Sequence, residues 1–251
     1  MFIPGLVSIT YRPLTPAQLI EITSTGGLSA IEWGGDVHVP HGNTGTAVRV
    51  GGMTRGAGLD TISYGTYYKA GTYGSAYADT FAAMLETADA LGAPNLRLWA
   101  GGKNSQDVTP DERAAMVTEL KTCAKMAAGR GKTISFEFHN NTLTNTAASA
   151  KALIEEIGEE NAVLYWQPNQ FLTHEENCAG LSLVLPYVTN VHVFAWLGHD
   201  RFALAEHRER WSDYLNILAS SHRNHGLLME FTPHDDPAEF VSEAETLLSW
   251  L

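Results

Sequence analysis

The sequence predicts an α/β chain folded as a single (β/α)8 barrel over residues 1–251. Two observations lead there. Eight short β-branched or aromatic runs recur along the chain, and amphipathic stretches, several with their own start signal, fall between them. Eight such units in 251 residues are the arithmetic of a closed parallel barrel, and every crossover is long enough to return a parallel strand. A doubly wound open sheet ranks second. It would usually carry a glycine-rich turn after an early strand, yet neither Gly34-Gly35 nor Gly51-Gly52 fits a dinucleotide or phosphate-binding loop.

The strands are read at Leu6–Thr10, Ala30–Trp33, Asp60–Gly65, Asn95–Trp99, Thr133–Phe138, Val163–Gln167, Asn190–Phe194 and Leu227–Phe231. Helix starts fall between them. Thr15-Pro16 precedes Gln18-Leu19-Ile20, and Thr109-Pro110-Asp111-Glu112 places a cap, a first-turn proline and an acid at the third helical position. Thr173-His174-Glu175-Glu176 and Asp236-Pro237-Ala238-Glu239 repeat the device. Further helical patterns run over Ser75–Leu91, Thr144–Ile157 and Ala205–Ser221, while the glycine-rich stretch Asn43–Gly58 reads as a broken helix.

With 44% hydrophobic and 18% charged residues, the chain is too apolar to be disordered. Sixteen Lys and Arg against twenty-eight Asp and Glu leave a formal charge of -12, so nucleic acid and anionic membrane surfaces meet net repulsion. Cys123 and Cys178 lie far apart with no CxxC, which speaks against a disulfide scaffold or a thiolate zinc site and for buried free thiols in a reducing cytosol. The start Met1-Phe2-Ile3-Pro4-Gly5-Leu6 lacks a signal-peptide pattern and no window approaches the ~18 apolar residues of a membrane span, so a cytoplasmic location is expected.

In a barrel, chemistry is expected where strands end, because that rim carries the variable loops. A polar residue interrupts the apolar run there in four successive strands: Glu137 between Phe136 and Phe138, Gln167 after Trp166, His192 between Val191 and Val193, and Glu230 between Met229 and Phe231. A carboxylate in such surroundings carries a large desolvation penalty unless it meets a cation. One such residue alone reads as a satisfied core polar group, but four on consecutive strands read as a shared site. Two Glu, one Gln and one His suit Mn2+, Mg2+ or Co2+ better than a thiolate-preferring metal.

These residues resemble the sugar phosphate isomerase/epimerase-like proteins of the xylose isomerase-like TIM barrel superfamily. The resemblance covers nearly the whole chain and is carried by Ile31-Glu32-Trp33-Gly34-Gly35-Asp36-Val37-His38, Arg97-Leu98-Trp99-Ala100-Gly101, Glu137-Phe138-His139, His192 and Glu230. It implies a divalent metal held by Glu137, Gln167, His192 and Glu230, with Glu137 and Glu230 also exchanging protons α to a carbonyl. Position 167 departs from the ketose 3-epimerases, which have Asp there. The amide ligates without charge, so two negative charges rather than three face the ion and weaker metal retention is expected. The implied activity is sugar isomerisation or epimerisation through an enediolate.

For a sugar substrate, Trp99 and Trp196 at strand ends offer flat apolar faces, whereas Trp166 is out of phase with Gln167 and is assigned to packing. Arg97 shares a phase with Trp99, so both line the lumen or both lie outside; Glu32 is either a pocket acid or a partner for Arg97. His38, His139 and Asn169 complete the expected substrate contacts, His38 on position and resemblance alone. Tyr67, Tyr68 and Tyr73 read as an aromatic lid or a plain surface loop, and His174, His207, His222 and His225 as solvent-facing. Three rival functions remain: a metal-dependent lyase on an oxidised glycoside, as in the C-glycoside deglycosidases; an abasic-site endonuclease, disfavoured by the charge of -12; and a non-catalytic sugar-binding barrel. The resemblance leaves a homo-oligomer open.

Overall fold

The computed structural model describes residues 1–251. Eight parallel strands close into a barrel in the order β1, β10, β7, β6, β5, β4, β3, β2. They are β1 (Phe2–Val7), β2 (Ala30–Gly34), β3 (Asp60–Lys69), β4 (Asn95–Trp99), β5 (Thr133–Glu137), β6 (Ala162–Trp166), β7 (Val188–Val193) and β10 (His225–Met229). A small antiparallel hairpin, β8 (Trp196–Leu197) with β9 (Asp200–Arg201), rises from the loop after β7. Eight helices form the outer layer: α1 (Pro16–Thr25), α2 (Thr44–Gly56), α3 (Tyr77–Leu91), α4 (Pro110–Ala128), α5 (Ala147–Ile157), α6 (His174–Val184), α7 (Arg208–Ala219) and α8 (Phe240–Leu248).

Local chemistry accounts for most boundaries. Thr15, Thr109 and Thr173 each accept from the third helical N–H, and Gln18, Glu112 and Glu176 reach back to the cap backbone. Several expected boundaries move. The first strand begins at Phe2 and ends at Val7, because Ser8–Tyr11 turns as a 3-10 helix whose Ser8 Oγ accepts from Gly34 N at 2.8 Å. Thr144 does not open α5; its hydroxyl donates to the Glu137 carbonyl, and Thr146 caps the helix instead. The Asp236 carboxylate accepts from Ala238 N at 2.9 Å in a turn, so α8 starts only at Phe240. The glycine-rich stretch is one continuous helix, α2. Gly51 is needed there for close packing, since a Cβ would collide with the Leu91 backbone at the end of α3.

Strand alternation divides the side chains between two environments. Leu96 and Leu98, Ile134 and Phe136, Leu164 and Trp166, and Val191 and Val193 join the large apolar core between barrel and helices. The alternate positions fill the lumen, and the fill is largely polar. Asn95 donates to Ser63 Oγ at 2.9 Å and to Ser135 Oγ at 2.8 Å, while Thr133 donates to Asn95 Oδ1. One layer above this belt, toward the strand C-termini, the same alternation delivers Glu32, Arg97, Glu137, Tyr165 and His192. No helix is long and apolar enough to cross a membrane.

Candidate active site

A cavity of about 280 Å3 opens at the C-terminal rim of the barrel, at the small end of the range for ligand pockets. Arg97, Glu137, Gln167 and Glu230 are among the residues that line it, and Trp99, Phe138, Trp196 and Phe231 supply aromatic surface. His192 lies fully buried beneath them. One oxygen each from Glu137 and Glu230 and one His192 nitrogen lie within 4.8 Å of one another. His192 Nδ1 donates to Gln167 Oε1 at 2.7 Å and lies 3.2 Å from Glu230 Oε2 and 3.7 Å from Glu137 Oε1. The four residues expected from the sequence therefore share one centre.

Glu137 is clamped. Its Oε2 accepts from Arg97 Nη1 and from the Trp99 indole N–H. Arg97 also donates from Nε to Glu32 Oε1 at 2.7 Å, so Arg97 and Trp99 both face the lumen and Glu32 is the partner of Arg97. Burial pushes the Glu32 carboxyl up, but Arg97 and His192 outweigh it and hold its pKa at about 2. For His192, burial pushes downward, yet Glu230, Glu32 and Glu137 prevail and raise the imidazole to about 10. The site thus sets one imidazole and the Arg97 guanidinium among the side chains of Glu32, Glu137 and Glu230.

These residues fit a divalent ion. Binding would displace the Nδ1 proton, and the ion, Arg97 and the three carboxylates would then sum to neutrality. His192 Nε2 has no hydrogen-bond partner and points toward Glu32, 3.8 Å from Oε1, the placement of an outer carboxylate that orients a ligating imidazole.

The remaining expectations fare unevenly. His139 stacks on Trp99 at 4.8 Å between ring centroids, and His139, Asn169 and Trp196 all border the cavity. His38 does not. It is buried behind β2, with Nδ1 at 3.0 Å from Ser8 Oγ and Nε2 at 3.1 Å from the Leu14 carbonyl, because the Gly34-Gly35 turn sends the chain outward. Trp166 packs on Tyr214 in the helical layer. Tyr67 and Tyr68 are neither lid nor surface loop, whereas Tyr73 lies half-buried in the loop after β3, its ring 4.9 Å from that of Tyr68. β3 continues to Lys69, Tyr68 is fully buried against Glu119, and Tyr67 lines the cavity. His207 and His225 are buried rather than solvent-facing, and of the two free cysteines only Cys123 is fully buried.

The sequence reading missed Tyr165, whose ring sits 4.5 Å from that of His192, and Arg12, which binds Asp36 and the Tyr67 hydroxyl at the cavity edge. Tyr165 shares the phase of Gln167, so alternation alone could have found it. Nothing local marks Arg12. Tyr67 and Phe231, both lining the cavity, adopt left-handed backbone at φ 57 and 55, a strained setting for aromatic residues.

The family described as Xylose isomerase-like TIM barrel matches residues 22–204, and the chain belongs to it. No curated protein matches the sequence. Among solved structures, a probable 3-DHS dehydratase from Bacillus anthracis superposes with a TM-score of 0.82 at 17% identity, covering 99% of each chain. A D-allulose 3-epimerase from Methylomonas sp. gives 0.76 at 14% identity over 100% of this chain and 98% of the other. A Xylose isomerase-like TIM barrel protein from Mycobacterium smegmatis in complex with magnesium gives 0.73 at 14% identity, covering 96% and 90%.

Proposed function

We propose that the chain is a divalent-metal-dependent sugar isomerase or epimerase that abstracts a proton α to a carbonyl. The observation that carries this reading is the convergence of Glu137 and Glu230, from opposite parts of the chain, on one imidazole at the floor of a sugar-sized cavity. Glu137, Gln167, His192 and Glu230 would hold Mn2+, Mg2+ or Co2+, which when bound supplies Lewis-acid stabilisation of charge developing on substrate oxygens. One carboxylate takes the proton from the carbon beside the carbonyl, and the other returns a proton from the opposite face, inverting the centre. Return to the neighbouring carbon interconverts aldose and ketose instead. Arg97 and Trp99 keep Glu137 aimed throughout. Trp99 and Trp196 border the space for the sugar ring, with His139 stacked on Trp99 and Asn169 nearby for its hydroxyls.

The test is solvent-deuterium exchange by the metal-loaded protein over ketoses, 3-ketoglycosides and sugar phosphates. Exchange without loss of a leaving group is expected in the wild type and absent in Glu137→Gln of unchanged fold. Unaltered exchange in that variant removes Glu137 from the mechanism. Exchange coupled to elimination assigns a lyase, and a silent screen with metal bound favours a sugar-binding barrel.

A further inference from the structure

We propose that His174, Cys178 and Asp213 form a second cation site, suited to a zinc-class ion, that ties α6 to α7 outside the cavity. His174 and Cys178 are four residues apart on α6 and so share one face, and Asp213 meets them from α7. Their three ligand atoms lie within 4.8 Å of one another. His174 Nε2 is 2.8 Å from Asp213 Oδ2, and Cys178 Sγ is 3.7 Å from the same nitrogen. Tetrahedral zinc, with bonds of about 2.0–2.3 Å, sets its ligand atoms about 3.3–3.8 Å apart, so Asp213 Oδ2 must draw back from the imidazole and Cys178 Sγ must turn from beside the ring toward Nε2 for the three to meet on one centre.

A Cys-His-Asp nucleophile is the competing reading of the same trio. Its Sγ would lie along one imidazole nitrogen, but here it is nearly equidistant from both, at 3.7 and 3.9 Å, beside the ring instead of on a lone pair. Tyr214 supplies what a metal ligand needs. Its hydroxyl lies 3.2 Å from His174 Nδ1, leaving Nε2 for the ion and fixing the ring.

The charges also close. The positive end of α6 opposes a bare cation, but Cys178 ligates as a thiolate after releasing its proton to solvent, and with Asp213 it neutralises a divalent ion. Asp213 is 60% exposed and His174 22%, so the ion arrives from solvent and the fourth position falls to water. The cavity set contains no sulfur and prefers harder ions, so the two sites select different metals.

Occupancy would also steady one wall of the cavity. Asn177, next to Cys178, accepts from Asn169 N at 2.8 Å and donates to the Asn169 carbonyl at 3.0 Å, latching the loop before α6.

The experiment is titration of the whole protein with Co2+ alone, followed by thiolate-to-cobalt charge-transfer absorption. A thiolate band that saturates by two equivalents, the cavity taking the other ion, and that Zn2+ displaces is expected in the wild type and in Glu137→Gln. It should vanish in Cys178→Ser and weaken at least tenfold in affinity in Asp213→Ala, whose exposed position keeps the fold intact. A wild type without the band, or a band that survives Cys178→Ser, overturns the proposal.

Discussion

The two walls of the cavity are built on different terms. On the β2–β5 side, Glu32, Arg97, Trp99 and Glu137 form a continuous chain of charge-assisted hydrogen bonds, nearly all of it removed from water. On the β6–β10 side, Gln167 and Glu230 meet only at His192 Nδ1, and the aromatic residues beside them sit on a hairpin and a strained turn. The contrast separates two duties. The first wall holds Glu137 through two donors, while Gln167 and Glu230 on the second share a single imidazole nitrogen.

The largest effect should come from breaking the first wall. Arg97→Met leaves Glu32 and Glu137 buried without their shared cation, and a loss of about 3–5 kcal/mol is expected in chemical denaturation. A variant within about 1 kcal/mol of wild type would mean that the two carboxylates are held by something else. The second wall is sharpened by Gln167→Glu, which keeps the reach to His192 and adds a charge to the ligand set. Mn2+ affinity measured calorimetrically should rise by about tenfold or more. Unchanged affinity would place residue 167 outside the ion's shell.

The smallest effect lies in the groups behind both walls. Burial lowers the pKa of His38, His207 and His225 below the ordinary 6.5. The unfolded chain then binds more protons than the folded one, so this part of the stability is complete above pH 6.5 and declines as pH falls below it. His192, raised to about 10, works in the opposite direction over the same window, so the check is by difference: thermal melts of His207→Gln that run parallel to wild type from pH 7 to about 5.5 would contradict it for His207.

Much of this arrangement was legible in the sequence. β4 is found at Asn95–Trp99 as read, and Glu137, Gln167, His192 and Glu230 betray themselves as polar residues cutting apolar strands. Alternation along a strand says which residues share a side. It does not say which strands are neighbours, so whether Glu32 answers Arg97 stayed open until the barrel closed. His38 failed for a related reason. Beyond Gly34-Gly35 the chain leaves strand geometry, and its direction is set by Ser8 and Leu14, contacts at 24 and 30 residues' separation that no local pattern encodes. The Asp236-Pro237 signal is a true turn device whose carboxylate closes on a nearer amide than a helix would need.

The pairing of Arg97 with both Glu32 and Glu137 crosses the midpoint of the chain. A ribosome that has released only the first four β/α units has made the guanidinium and one of its acids, but not the second. The buried cluster is therefore complete only when the two halves dock, and neither half holds it by itself.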